Sequence, residues 1–115
     1  MKKFVVMLLV LLSFTACSEE QPDLKQWLRD GVVIDTRTLE EYNSGHIDNA
    51  TLIPYDVIQQ QISRVVPDKS TPVLLYCRSG RRAGIAETTL KKLGYENVIN
   101  VGGINDMQSF IQKNR

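Results

Sequence analysis

From residue 23 onward, two hydrophobic patterns take turns along the chain. Short apolar runs read as strands: Val32-Val33-Ile34, Ala50-Thr51-Leu52-Ile53, Val73-Leu74-Leu75-Tyr76 and Asn97-Val98-Ile99-Asn100-Val101. The near-continuous runs at 32–34 and 73–76 fit strands covered on both faces. Between them, apolar residues recur at helical spacing: Leu24, Trp27 and Leu28; Val57, Ile58, Ile62 and Val65; Ile85, Leu90 and Leu93; Ile104, Met107, Phe110 and Ile111. Asp23 stands where an N-cap is needed and Gly31 where a C-cap is needed. Thr38-Leu39-Glu40-Glu41 is a capping box, and it predicts a short helix that ends at Gly45. A helix is expected over Gly84–Leu93, with Ile85, Leu90 and Leu93 facing inward and Gly94 as its cap. Gly102-Gly103 opens a last helix. Regular alternation of strands and helices predicts an α/β fold with a mostly parallel central sheet.

The first residues break this pattern. Met1-Lys2-Lys3 is basic, Phe4–Leu12 is an apolar run of nine residues, and Ser13-Phe14-Thr15-Ala16-Cys17 follows. This is the layout of a secretory signal peptide. The run is too short to span a bilayer, which needs about 20 apolar residues. Phe14-Thr15-Ala16-Cys17 resembles the lipobox of bacterial lipoproteins, although Phe stands where Leu is usual. The expectation is a signal peptide over residues 1–16, lipidation of Cys17, a tether over 17–22 and a domain over 23–115. The protein would then be exported to the periplasm, with Ser18 favouring an outer-membrane anchor.

Composition narrows the function. Hydrophobic residues make up 43% and charged residues 23% of the 115, which suits a single globular domain. Loss of residues 1–16 takes Lys+Arg from 14 to 12 against 13 Asp+Glu, so the mature chain is close to neutral. A basic nucleic-acid footprint is excluded on this ground. With one His and two Cys, no ordinary four-ligand structural zinc site can be built. No metal or cofactor is expected. If Cys17 is lipidated, Cys77 is a lone thiol in an oxidising compartment, and that invites a functional explanation.

Cys77 directly follows the strand run 73–76 and is followed by Arg78-Ser79-Gly80-Arg81-Arg82. Chemistry in open parallel α/β sheets sits at the carboxyl ends of strands. A tight loop leading into a helix turns backbone N–H groups toward whatever lies inside it, and the helix dipole favours negative charge there. Gly80 allows the bend. Together with three arginines this points to a thiolate, the nucleophilic form of cysteine. Cations are unfavourable at a helix start, so three of them suggest an anion to be held.

Cys77-Arg78-Ser79-Gly80-Arg81-Arg82 resembles the six-residue active-site loop of rhodaneses. Ile34-Asp35-Thr36-Arg37, Glu41-Tyr42 and Gly45-His46-Ile47-Asp48-Asn49-Ala50 resemble the family's amino-terminal signature. Leu93-Gly94-Tyr95-Glu96-Asn97-Val98 through Val101-Gly102-Gly103 resembles its carboxyl-terminal one. The likeness runs from Asp23 to Arg115. It implies a rhodanese-like sheet with helices on both faces, and ping-pong sulfur transfer through a persulfide on Cys77. The donor would be a small anion such as thiosulfate, and the acceptor cyanide or a thiol. Amides from Arg78 to Arg82, Ser79 and Gly80 included, would cradle the persulfide. Arg78 and Arg82 are the candidates for donor binding, with Arg81 a lesser one. Asp35 and Arg37 match positions near the active-site side and read first as a supporting ion pair. His46 reads as structural.

Two other enzyme readings remain, along with a non-catalytic sulfur- or anion-binding module. A Cys-dependent phosphatase, or an arsenate-reductase-like enzyme, places Arg six positions after Cys to grip its anion; here that position is Ala83. A thiol–disulfide oxidoreductase wants a second Cys where Gly80 stands.

Overall fold

A computed structural model describes residues 22–115. The expected signal peptide, the lipidation at Cys17 and most of the tether lie outside the described residues. The elements run α1 (Leu24–Asp30), β1 (Val32–Asp35), α2 (Leu39–Ser44), β2 (Thr51–Leu52), α3 (Ile58–Val65), β3 (Val73–Cys77), α4 (Arg81–Lys92), β4 (Val98–Gly103) and α5 (Ile104–Asn114). The four strands form one parallel sheet in the order β2-β1-β3-β4.

β1 and β3 hold the centre, in register from Val32↔Val73 to Asp35↔Tyr76. They are the strands with near-continuous apolar runs, because a central parallel strand has helices above and below it. All five residues of β3 are buried. Its side chains alternate between faces. Val73, Leu75 and Cys77 join a core with Ile58 and Ile62 of α3 and Ala83, Ala86 and Leu90 of α4. Leu74 and Tyr76 join a second core with Met107 of α5, flanked by Trp27 and Leu28 of α1. The two cores are the two faces of the sheet, as expected.

Local signals place the elements. Asp23 caps α1 by accepting the Gln26 N–H at 3.1 Å. Thr38 and Glu41 form the capping box of α2, each accepting the other's backbone N–H at 3.2 Å. α4 departs from expectation. It begins at Arg81, three residues ahead of Gly84, since Gly80 sits in the left-handed region at φ 99° and its carbonyl accepts the Gly84 N–H at 2.9 Å. The buried stripe of α4 is therefore Ala83, Ala86 and Leu90, and Ile85 is exposed rather than inward. β4 extends past Val101 through both glycines, and α5 starts directly at Ile104.

The order β2-β1-β3-β4 sends the β1–β2 and β3–β4 connections in opposite directions. The carboxyl ends of β1 and β3 thus flank a topological switch point, where such sheets open a crevice. Asp35-Thr36-Arg37 leaves one side of it and Cys77 the other.

Candidate active site

Cys77 is the last residue of β3 and is 1% exposed. Its Sγ accepts the Gly80 N–H at 2.9 Å. The left-handed turn at Gly80 brings that amide back onto the sulfur, a conformation other residues rarely adopt. Burial opposes the thiolate and is the largest single influence on Cys77. The amides of Ala83, Ser79, Gly80 and Arg82 together outweigh it, so the thiol titrates below its ordinary value. Arg82 and Ala83 lie in the first turn of α4, where N–H groups have no carbonyl within the helix. Negative charge on sulfur is thus held mainly by backbone. From sequence Ala83 reads only as the residue standing where a phosphatase would place Arg, and the cradle ends at Arg82; in the structure it extends through Ala83 into the first helical turn.

The arginines divide by role. Arg78 and Arg81 are exposed and make no ion pair among the described residues. Arg82 forms a two-pronged pair with Glu41: Nη1 to Oε1 at 2.6 Å and Nη2 to Oε2 at 2.9 Å. The hydrogen bonds from Arg82, against some cost of burial, hold the Glu41 carboxyl down to about 2, with help from Thr38. One of the three cations in the loop therefore has its anion within the chain, and its fork is committed to tying the start of α4 to α2. Glu41 serves the capping box and the loop at once. The capping pattern announced the first use and hid the second.

Asp35 and Arg37 form a buried pair at the end of β1, Oδ2 to Nη2 at 2.7 Å, with Arg37 Nε also donating to both carboxylate oxygens. Arg37 Nη2 donates to the Gly45 carbonyl at 2.7 Å. Tyr76 Oη donates to Asp35 Oδ2 at 2.7 Å and accepts the Ile47 N–H at 3.1 Å. The pair thus staples the 45–47 segment to the sheet. Among the described residues no buried side-chain polar atom lacks a partner. His46 is exposed, stacked on Tyr42 with ring centroids 3.6 Å apart, its Nδ1 2.8 Å from the Tyr42 carbonyl. It has no hydrogen bond to the Cys77 loop. A cleft of about 470 Å³ runs beside the loop, its walls including Arg37, His46, Arg78 and Gln108.

The back of the loop is closed by β4 and the start of α5. A Cβ on Gly103 would collide with the Arg78 carbonyl, so only glycine allows this approach. Gly103 N–H donates to Asp106 Oδ2 at 2.7 Å. Asn100 Nδ2 donates to the Gly80 carbonyl at 2.9 Å. The sequence reading gave none of these supports a site role. Gly103 carries a signal, as half of a Gly-Gly pair, but that signal points only to the turn into α5.

Comparison with known proteins agrees with this geometry. Residues 20–109 match the family model described as Rhodanese-like domain. The chain is 39% identical over 74 residues to Thiosulfate sulfurtransferase PspE of Escherichia coli, covering 64% of this chain and 71% of that protein. It is 36% identical over 78 residues to tRNA uridine(34) hydroxylase of Erwinia tasmaniensis, covering 64% of this chain but 22% of that protein. Relatives of this domain thus carry different activities. Among solved structures, a rhodanese with anions from E. coli superposes with a TM-score of 0.65 at 38% identity, covering 66% of this chain and 89% of that one. A cysteine at a strand end, ringed by amides of a six-residue loop, on a four-stranded parallel sheet with helices on both faces, identifies the chain as a member of the rhodanese-like domain family.

Proposed function

We propose that this protein is a thiosulfate sulfurtransferase acting through a persulfide on Cys77. The Cys77 thiolate attacks the outer sulfur of thiosulfate. The Cys–S bond forms, the bond to the sulfite sulfur breaks, and sulfite leaves with the electron pair. A thiophilic acceptor such as cyanide then attacks the terminal sulfur of the persulfide and leaves as thiocyanate, restoring the thiolate. One transfer becomes two covalent steps. The reading rests above all on the amide cradle around Sγ, which stabilises negative charge on sulfur. Arg78 is the candidate for steering the dianionic donor, with Arg81 beside it and Ser79 and Gly80 lining the cradle. Arg82, engaged with Glu41, acts by fixing the loop. Similarity to a thiosulfate sulfurtransferase and to a rhodanese with anions supports the choice of donor.

Intact mass after thiosulfate treatment tests this. One added sulfur on the wild type and none on Cys77→Ala is expected, with thiocyanate formation lost in the variant. Full activity of Cys77→Ala, or turnover of an aryl phosphate without thiosulfate turnover, overturns the reading. Export with a lipid anchor on Cys17 belongs to the same proposal and is carried by the sequence of residues 1–17. A mature N-terminus that mass spectrometry finds unmodified at a residue other than Cys17 rejects the anchor.

A further inference from the structure

β3 and β4 do not pair evenly. Leu75 pairs with Asn100, but Tyr76 pairs with Gly102, so Val101 is an extra residue in β4. Bulges of this kind bend a strand and re-aim its groups, often beside active sites. Here the result falls on the Cys77 loop. Gly102, just past the extra residue, donates its N–H to Asn100 Oδ1 at 2.9 Å. The other end of that side-chain amide, Nδ2, donates to the Gly80 carbonyl at 2.9 Å. The Asn100 backbone N–H in turn donates to Glu87 Oε2 of α4 at 2.8 Å. Asn100 is thus held from both sides and holds the residue whose own N–H reaches Sγ.

Gly80 needs such a hold. Its left-handed backbone lies between the exposed Ser79 and Arg81, and the groups nearest to where a Cβ would stand are Gly102 and the Asn100 side chain. Its carbonyl already accepts the Gly84 N–H, the first bond of α4. The second bond from Asn100 fixes the plane of the following peptide against β4. It also couples the loop to the sheet independently of the helix.

We propose that Asn100 is a positioning residue for Cys77, acting through Gly80 to keep an amide hydrogen on the sulfur. The inference rests on the reading of Cys77 as the sulfur carrier, but its test does not. The thiol is titrated by following iodoacetamide alkylation of Cys77 against pH by intact mass. In Asn100→Ala the midpoint rises by about half a unit to one unit, the worth of one weakened amide–sulfur hydrogen bond. Turnover of thiosulfate to thiocyanate falls about 3- to 10-fold, with KM for thiosulfate changed less than about twofold. Ile62→Val, which loosens α3 in the core, serves as a control for general destabilisation and leaves the midpoint in place. Asn100→Ser, too short to reach Gly80, replaces the Ala variant if that one folds poorly. A folded Asn100 variant with an unmoved midpoint overturns the proposal, as does a raised KM with an unmoved midpoint. A wild type that forms no persulfide overturns the sulfur-carrier reading instead, and leaves the titration to decide on Asn100.

Discussion

Tyr76→Phe removes a single oxygen from the buried end of β3, and its effect can be worked out bond by bond. The hydroxyl donates to Asp35 Oδ2 and accepts the Ile47 N–H. Tyr76 is fully buried, and Ile47 is 6% exposed. Loss of a hydrogen bond to a charged group is worth about 1.5–3 kcal/mol, and a buried N–H left without a partner costs about 1–3 kcal/mol. The two share one atom and overlap, and Phe no longer has a hydroxyl to desolvate. A net loss of about 2–4 kcal/mol follows. For a domain of this size that lowers Tm by roughly 10–25 °C. The stacking of Arg37 on the ring, 5.6 Å from its centroid, survives in Phe, so the variant isolates the oxygen. Because Tyr76 points away from the Cys77 face, the loop keeps its geometry. Urea melts followed by circular dichroism give the stability change, and Cys77 alkylation at fixed pH reports on the loop. The expected result is a large drop in midpoint with the alkylation rate held within about twofold. A stability change under about 0.5 kcal/mol, or a collapsed alkylation rate in a stable variant, refutes the reasoning.

Three further outcomes are expected. Gly103→Ala drives a methyl into the Arg78 carbonyl in a backbone conformation that alanine tolerates, so the loop, not the fold, takes the strain. Sulfur transfer falls at least about tenfold while stability falls about 1–3 kcal/mol, read by thiocyanate formation and urea melts. The Glu41–Arg82 pair gives a pH signature: Glu41 is held below its unfolded value of 4.5, to about 2, so its stabilisation is full above the unfolded value and is lost as pH falls from about 4.5 to about 2. Glu41→Gln removes that slope, on the order of 1 kcal/mol given the pair's partial exposure, in acid melts. The Cys77 thiol of the wild type is alkylated with a midpoint below that of an ordinary cysteine, and urea returns it to the ordinary value.

What could be read from the sequence was what repeats locally. The apolar runs at 32–34 and 73–76 announced central strands, and Thr38-x-x-Glu41 announced α2, because period and capping act within a few residues. Cys77 was legible because a strand end, a glycine and three arginines crowd one short stretch. Contacts between distant residues were not legible. Arg82 meets Glu41 across 41 positions, and Tyr76 meets Asp35 across the same separation. Neither leaves a spacing to recognise. The start of α4 is not legible because Gly84 resembles a boundary, while Gly80 supplies the left-handed turn. The larger Ile85 reads as the inward residue, but it is exposed, and the contacts of α4 with the sheet are small: Ala83 and Ala86 let the helix lie close to β3. Asn100 was hidden by the bulge at Val101, since one extra residue in a strand changes no composition.

The alternation of β3 carries a constraint on how this protein can vary in length. The thiol and the phenol are one residue apart, and only parity separates the reactive side of the strand from the anchoring side. Deleting a single residue between Val73 and Cys77 would turn the sulfur toward the face of Leu74, Tyr76 and Met107, away from the first-turn amides of α4, while each local motif survived unchanged. Insertions and deletions in this strand are therefore tolerable only in pairs, so an aligner or designer who preserved the loop sequence but not the count before it would keep the emblem of the site and lose its chemistry.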